Sequence, residues 1–141
     1  MKVAFDPQTF LRQRNGGISR LFTDLILAFD ASAEVGVEAL TPFRCVSSSY
    51  TAERLAARGI RRSPNWLPRQ LVYLPSWVVG FRAPEDAQIV HHTYYDPRFL
   101  KPIGSRKRVS TVHDMIPEIL KGTDDYTGSH LAKREYIRDS D

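Results

Sequence analysis

The chain has 141 residues, of which 42% are hydrophobic and 26% charged, and this mixture excludes a disordered or fibrous protein. Its length suffices for one core, so we predict a single domain over residues 1–141. Lys and Arg number 20 against 16 Asp and Glu, a formal net charge of +4, and no recognition module accompanies this charge that would indicate nucleic acid as a partner.

Two clusters hold much of the basic charge: Arg54, Arg58, Arg61 and Arg62, and Lys101, Arg106, Lys107 and Arg108. We interpret them as solvated surfaces, with attraction to a diphosphate or to an acidic lipid surface as the alternative. Asp6 precedes any apolar leader segment, Pro75 interrupts the longest apolar run, and the single Cys45 precludes an internal disulfide. These features predict a cytoplasmic protein, with peripheral contact at the inner face of the membrane as an alternative.

A strand, a glycine turn and a helix open the chain. Residues 2–6 carry apolar side chains and precede a polar loop that ends at Gly16-Gly17, which predicts a strand and then a turn. Over residues 18–29 the apolar positions recur at the i, i+3, i+4 spacing of one helical face. A β-compatible stretch over 36–43 completes a βαβ unit, whose two strands should be parallel neighbours.

Further helices and strands follow. The predicted helices cover residues 50–58, 69–74 and 131–137, and the predicted strands cover residues 88–93 and 108–113. Gly59 supplies the stop for the first of these helices. This alternation predicts an α/β fold, a Rossmann-like parallel sheet flanked by helices.

Polar side chains cluster where the last two predicted strands end. They are His91, His92, Tyr94, Tyr95, His113 and Asp114. In an open parallel sheet the ligand crevice lies beyond the carboxyl ends of the strands. We therefore expect these residues on one rim, together with the Gly16-Gly17 turn.

The Gly16-Gly17 turn has the chemistry of an anion site. Glycine lacks a Cβ, so backbone N–H groups can approach a phosphate closely, and the following helix adds the positive end of its dipole. The turn lacks the glycines of a dinucleotide fingerprint and the Lys-Ser/Thr of a P-loop, so neither NAD nor ATP chemistry is predicted. Arg20 could reach the same anion. The alternatives are a purely structural tight turn and an ordinary exposed arginine.

The histidines and tyrosines admit several interpretations. His113 could bind a sugar hydroxyl or a phosphate, or accept a proton, with a core histidine as the alternative. Adjacent His91 and His92 point to opposite faces of a strand and lack a third ligand at a recognised spacing, so no metal site is expected. Tyr94 and Tyr95 could stack on a sugar ring or pack on each other. No Ser-His-Asp or Cys-His pattern indicates a hydrolase.

Four segments carry a family resemblance. They are Phe5-Asp6-Pro7-Gln8, Gly16-Gly17-Ile18-Ser19-Arg20, His91-His92-Thr93-Tyr94-Tyr95 and Thr111-Val112-His113-Asp114-Met115-Ile116-Pro117-Glu118. In order and spacing they resemble the N-terminal domain of the retaining glycosyltransferases of family four, which have the GT-B fold. The resemblance covers nearly the whole chain, although residues 47–87 match by general pattern only.

The resemblance implies an acceptor-side domain that faces a C-terminal, donor-binding domain lying outside residues 1–141, so this truncated chain should be inactive alone. The complete enzyme would transfer a hexose, such as mannose, from a nucleotide-diphosphate sugar to a glycan or lipid-linked glycan, with retention and without metal or cofactor. The implied site comprises His113 as the catalytic residue, Gly16, Gly17 and Arg20 at the donor diphosphate, and His92, Tyr94, Tyr95, Asp114 and Glu118 at acceptor and sugar.

Two other functions stay open at this point. One is a stand-alone Rossmann-like module that binds an anion or a partner without catalysis, and the other is a GT-B sugar-nucleotide epimerase. A related protein would continue from the final helix into another parallel strand, so we expect an uncovered sheet edge here, with either self-association or poor stability of the isolated chain as its consequence.

Overall fold

The computed structural model describes residues 1–39, 45–62, 83–100, 104, 106–113 and 129–138. The described strands are β1 (Lys2–Phe5), β2 (Gly36–Ala39), β3 (Cys45–Val46), β4 (Arg61–Arg62), β5 (Ile89–His92) and β6 (Lys107–Ser110). The described α-helices are α1 (Gln8–Arg12), α2 (Gly17–Asp30), α3 (Ser49–Arg54) and α4 (Ser129–Arg138), and Ala56–Arg58 and Pro97–Phe99 form 3₁₀ turns.

Four strands form one parallel sheet in the order β2-β1-β5-β6. A second, two-stranded parallel sheet joins β3 to β4. The α/β class is confirmed, as is the parallel pairing of β1 with β2, and the arrangement is compatible with a Rossmann-like fold. The chain passes from β1 to β2 on one side and then returns to β5 on the other side of β1. The topological switch point, where α/β sheets bind ligands, therefore lies between β1 and β5.

Alternation along β1 separates the two faces of the sheet. Val3 and Phe5 lie in the larger apolar cluster, with Phe22 and Ile26 of α2. Ala4 lies in a smaller cluster on the opposite face. The pleat of a strand sends successive side chains to opposite faces, so β1 is packed on both of its faces.

The predicted helix over 18–29 is confirmed as α2, which begins one residue earlier at Gly17. The predicted helix over 50–58 is also confirmed, as α3 followed by a 3₁₀ turn. The Ser48 hydroxyl caps α3 by accepting from the Thr51 backbone N–H at 3.3 Å. Gly59 has φ of 74°, the left-handed conformation that ends such a helix. The last predicted helix, over 131–137, is confirmed as α4.

Among the described residues the structure differs from the sequence prediction at α1, at β6, and at the strands β3 and β4, which were not predicted. The loop before Gly16 contains α1, a helix too short to show an apolar period, whose Phe10 side chain is fully buried. The strand predicted over 108–113 ends at Ser110, because the Tyr95 hydroxyl donates to the Thr111 carbonyl at 3.0 Å and accepts from the His113 backbone N–H at 2.7 Å. These two bonds replace the ladder that would have continued β6.

The predicted helix over 69–74 and the end of the predicted strand over 36–43 lie outside the described residues. In the described ranges, no helix combines the length and the apolar character that a membrane span requires.

The core position of α2 is tested by replacing Ile26 with Ala. Ile26 is fully buried, so loss of its side chain should lower the free energy of unfolding by about 2–5 kcal/mol. Leu21→Ala is the matched control on the same helix, since Leu21 is 51% exposed and should change stability by less than about 0.5 kcal/mol. Urea denaturation measures both, and equal effects of the two substitutions would contradict this packing.

Candidate functional site

A buried carboxylate occupies the switch point. Asp6 directly follows β1 and is fully buried. Its Oδ1 accepts from the Thr93 hydroxyl at 2.7 Å, from the Thr93 backbone N–H at 3.0 Å and from the Gln8 backbone N–H at 3.3 Å. Its Oδ2 accepts from Gln8 Nε2 at 2.5 Å and lies 2.8 Å from His92 Nδ1. Asp6 thereby ties the end of β1 to the start of α1 and to the end of β5.

His92 lies in the interior on the α4 face of the sheet. Its ring is 1% exposed and meets Tyr136 edge-on, with centroids 5.4 Å apart. A carboxylate only accepts hydrogen bonds, so Nδ1 of His92 carries the hydrogen that points to Asp6. These contacts give His92 a structural position, and the sugar-binding assignment of this residue stays a prediction.

His91 lies on the opposite face, as predicted for adjacent residues of a strand. Its ring stacks on Phe5 at 5.1 Å and meets Phe22 edge-on at 5.3 Å, while Nε2 lies 2.8 Å from Thr111 Oγ1. Burial lowers the pKa of His91 from 6.5 to about 4. The ring is therefore neutral at physiological pH and acts as part of the core.

His113 lies at the rim with a half-buried ring. The ring meets Phe22 edge-on at 5.6 Å, and Nε2 lies 3.2 Å from the Thr93 carbonyl oxygen. A carbonyl only accepts, so we assign the hydrogen to Nε2, which leaves Nδ1 of the neutral ring as an acceptor. His113 thus presents a lone pair to any group that approaches Nδ1.

Two tyrosines flank His113, with different functions in the structure. The Tyr95 hydroxyl is occupied by the backbone of Thr111 and His113, so Tyr95 fixes the position of the histidine. Tyr94 lies nearly parallel to the His113 ring, with centroids 6.5 Å apart. The guanidinium of Arg12 lies 4.9 Å above the Tyr94 ring, a cation–π contact. Arg12 therefore adds a cation to this rim.

The N-terminus of α2 is partly capped by a neighbouring side chain. Gln13 Oε1 accepts from the Ser19 backbone N–H at 3.0 Å. A Cβ at Gly16 would lie only 2.8 Å from Gln13 Cδ, whereas a Cβ at Gly17 would meet nothing within 4 Å. Gly16 therefore gives room to the Gln13 side chain, and Gly17 is the glycine with open space beside it. The first turn of α2 contains no acidic residue.

The side chain of Arg20 contacts α3. Its guanidinium lies 4.9 Å above the ring of Tyr50, whose hydroxyl donates to Asp24 Oδ1 at 2.7 Å. Phe22 is the α2 residue that contacts His113. The structure thus brings Gly17, His113 and Tyr94 to one end of the sheet. The guanidinium of Arg20 instead contacts Tyr50 of α3.

Asp114 and Glu118, the remaining predicted site residues, lie outside the described residues. Within the described ranges no three His, Cys, Asp or Glu side chains are placed to hold a metal ion. Sequence reasoning assigned no function to Asp6, Arg12 or Gln13. For Asp6 the available signal was an acid directly after an apolar strand, whereas Arg12 ends, and Gln13 follows, a helix that the pattern did not predict.

Comparisons with protein-family models, with curated proteins and with solved structures find no match for this chain.

Gly16→Ala should destabilise the chain by about 1 kcal/mol, because the new Cβ displaces Gln13 from the Ser19 N–H. Gly17→Ala is the matched control and should be neutral or stabilising by up to about 1 kcal/mol, since alanine fits there and favours the helix. Chemical denaturation measures both. In a Gln13→Ala background Gly16→Ala should cause no further loss, and a full additional loss would refute the capping.

The lowered pKa of His91 predicts a pH dependence of stability. The unfolded chain protonates this histidine near pH 6.5, and the folded chain does so only near pH 4, so the stabilising contribution is complete above pH 6.5 and falls as the pH drops towards 4. His91→Phe keeps an aromatic ring against Phe5 and Phe22 but cannot titrate. Over that window the wild type should lose about 2 kcal/mol more unfolding free energy than His91→Phe. Urea denaturation at several pH values measures this difference, and parallel curves would contradict it.

Proposed function

We propose that this chain is the acceptor-side domain of a GT-B glycosyltransferase that moves a hexose from a nucleotide-diphosphate sugar to a glycan acceptor with retention. The observation that carries the proposal is the contact between the rings of His113 and Phe22, 5.6 Å apart. Phe22 lies five residues after Gly17, about 7.5 Å along the helix. An imidazole and a helix N-terminus therefore share the ligand-binding end of the sheet.

The N-terminus of α2 has the properties that a diphosphate requires. Its backbone N–H groups and the positive end of its dipole attract an anion, and no acid in the first turn opposes one. Gly17 is exposed and has open space beside it, so an oxygen can approach the backbone closely. During transfer the bond between the sugar and the diphosphate breaks, and these groups would stabilise the charge that develops on the leaving phosphate.

The rim formed by His113, Tyr94 and Arg12 has the properties that a sugar requires. Nδ1 of His113 is an acceptor, which suits a sugar hydroxyl, a group that can donate. The Tyr94 ring supplies an aromatic surface beside it, and Arg12 places a cation on that ring. A ligand with an anionic end and a hydroxylated end fits these neighbouring features together.

In this proposal a second domain faces the rim and supplies most of the donor site. The reaction needs neither metal nor cofactor. It takes place in the cytoplasm, and a lipid-linked acceptor at the membrane surface is one option. The acceptor hydroxyl attacks the anomeric carbon, and its proton passes to the leaving diphosphate. Mannose or a related hexose is the donor sugar that the resemblance favours.

His113→Ala tests the proposal in a protein that contains both domains. Loss of a hydrogen bond to a reacting sugar should reduce kcat/KM by about 10- to 100-fold. Val112→Ala is the control, because Val112 is adjacent and 44% exposed, and it should keep the wild-type rate. The assay follows release of the nucleoside diphosphate over a panel of nucleotide sugars. Equal rates for His113→Ala and the wild type would exclude this histidine from the site.

Calorimetry on residues 1–141 alone separates the proposal from a stand-alone binding module. A transferase half should bind a nucleotide sugar weakly until the second domain is present. Tight binding by the isolated chain that survives His113→Ala would contradict the transferase and favour the module.

A further inference from the structure

We propose that Asp6 is a positioning residue that fixes the tautomer of His113 through Thr93, and so makes Nδ1 of His113 an acceptor for a ligand hydroxyl. The proposal rests on the proposed function for the identity of that ligand, a polyhydroxylated one, but its structural part concerns the ligand-free protein. The observation behind it is a continuous series of contacts that joins a buried carboxylate to the half-buried imidazole.

The series has two steps. Asp6 Oδ1 accepts both the backbone N–H and the hydroxyl of Thr93, at 3.0 and 2.7 Å. The carbonyl oxygen of Thr93 lies 3.2 Å from Nε2 of His113. Two bonds to one carboxylate oxygen fix the backbone N–H and the hydroxyl of Thr93. With Thr93 held at these two groups, its carbonyl is oriented towards His113 and decides which imidazole nitrogen carries the hydrogen.

Asp6 suits this position because a carboxylate accepts at both oxygens. Its Oδ2 faces two groups, Nε2 of Gln8 at 2.5 Å and Nδ1 of His92 at 2.8 Å. An amide in its place would turn an N–H₂ group either towards these donors or towards the N–H of Thr93. A buried donor that faces another donor is unfavourable, so Asp6→Asn should displace one side of the cluster.

The tautomer determines which ligand group His113 can take. With the hydrogen on Nε2, the neutral ring offers only a lone pair at Nδ1, and a hydroxyl can donate to it. An unprotonated phosphate oxygen cannot donate, so it would meet a repulsive lone pair there. The geometry therefore assigns the hydroxylated part of a ligand to His113 and leaves the anionic part to the N-terminus of α2.

The test is a long-range proton–nitrogen NMR spectrum of the ¹⁵N-histidine-labelled chain, at a pH where His113 is neutral. The wild type should carry its hydrogen on Nε2 of His113, and Asp6→Asn should give a mixture of the two tautomers. Asp86→Asn is the control, because Asp86 is an exposed carboxylate that binds Lys2 away from this rim, and it should leave the tautomer unchanged. A wild type protonated at Nδ1 would refute the proposal, as would a folded Asp6→Asn chain with an unchanged tautomer.

A milder pair covers the case in which Asp6→Asn does not fold. Thr93→Ser keeps the hydroxyl that bonds to Asp6 and removes the methyl group, and Thr93→Ala differs from Thr93→Ser only in lacking that hydroxyl. Thr93→Ser should retain the wild-type tautomer, and Thr93→Ala should shift part of the population. Identical spectra for these two variants would also overturn the proposal.

A double-mutant cycle links the tautomer to turnover in the two-domain protein. If Asp6 acts through His113, Asp6→Asn should reduce kcat/KM about 10-fold in the wild type and leave it unchanged in a His113→Ala background. If Asp6 only stabilises the fold, Asp6→Asn should reduce kcat/KM equally in the wild-type and the His113→Ala backgrounds. That result would overturn the functional part of the proposal. If the NMR result holds and no sugar transfer is found, the proposed function fails and the tautomer relay stands.

Discussion

A fully buried carboxylate at the end of the first strand is the constraint on which the rest of the structure depends. The cost of removing a charged group from water is recovered only when its hydrogen-bonding capacity is filled, and Asp6 has neighbours at both oxygens. These neighbours belong to α1 and to the exit of β5. The cluster therefore joins the end of β1 to α1 and to the exit of β5 at the switch point.

Because of the pleat of β5, its two adjacent histidines lie on opposite faces of the sheet and have different contacts. His91 points to the α2 face, where burial keeps it neutral among phenylalanine rings, and His92 points to the other face, where it bonds to the carboxylate. His113 follows the next strand and is held from three sides by Tyr95, Phe22 and the Thr93 carbonyl.

The sequence predicted features that depend on neighbouring residues, but not contacts between residues far apart in the chain. The apolar spacing of α2 and the left-handed glycine at position 59 depend on near neighbours in the chain, so both were predictable. Asp6 meets Thr93 across 87 positions, and no periodicity encodes such a bond. The resemblance led to the prediction that Gly16 contacts a ligand. In the structure Gly16 leaves space for the Gln13 side chain, and a sequence alone does not reveal such a contact.

The donor and acceptor properties of the rim favour a ligand with two chemical halves. A helix N-terminus without an acidic residue attracts negative charge. The neutral form of an imidazole that donates through Nε2 has a lone pair at Nδ1, to which a hydroxyl can donate and an unprotonated phosphate oxygen cannot. A simple phosphate would satisfy only the first of these groups, and an uncharged sugar only the second. Under the proposed function a sugar joined to a diphosphate would meet both groups, because its hydroxyls and its phosphates belong to one molecule. That complementarity is the physical reason for proposing a nucleotide sugar rather than either fragment alone.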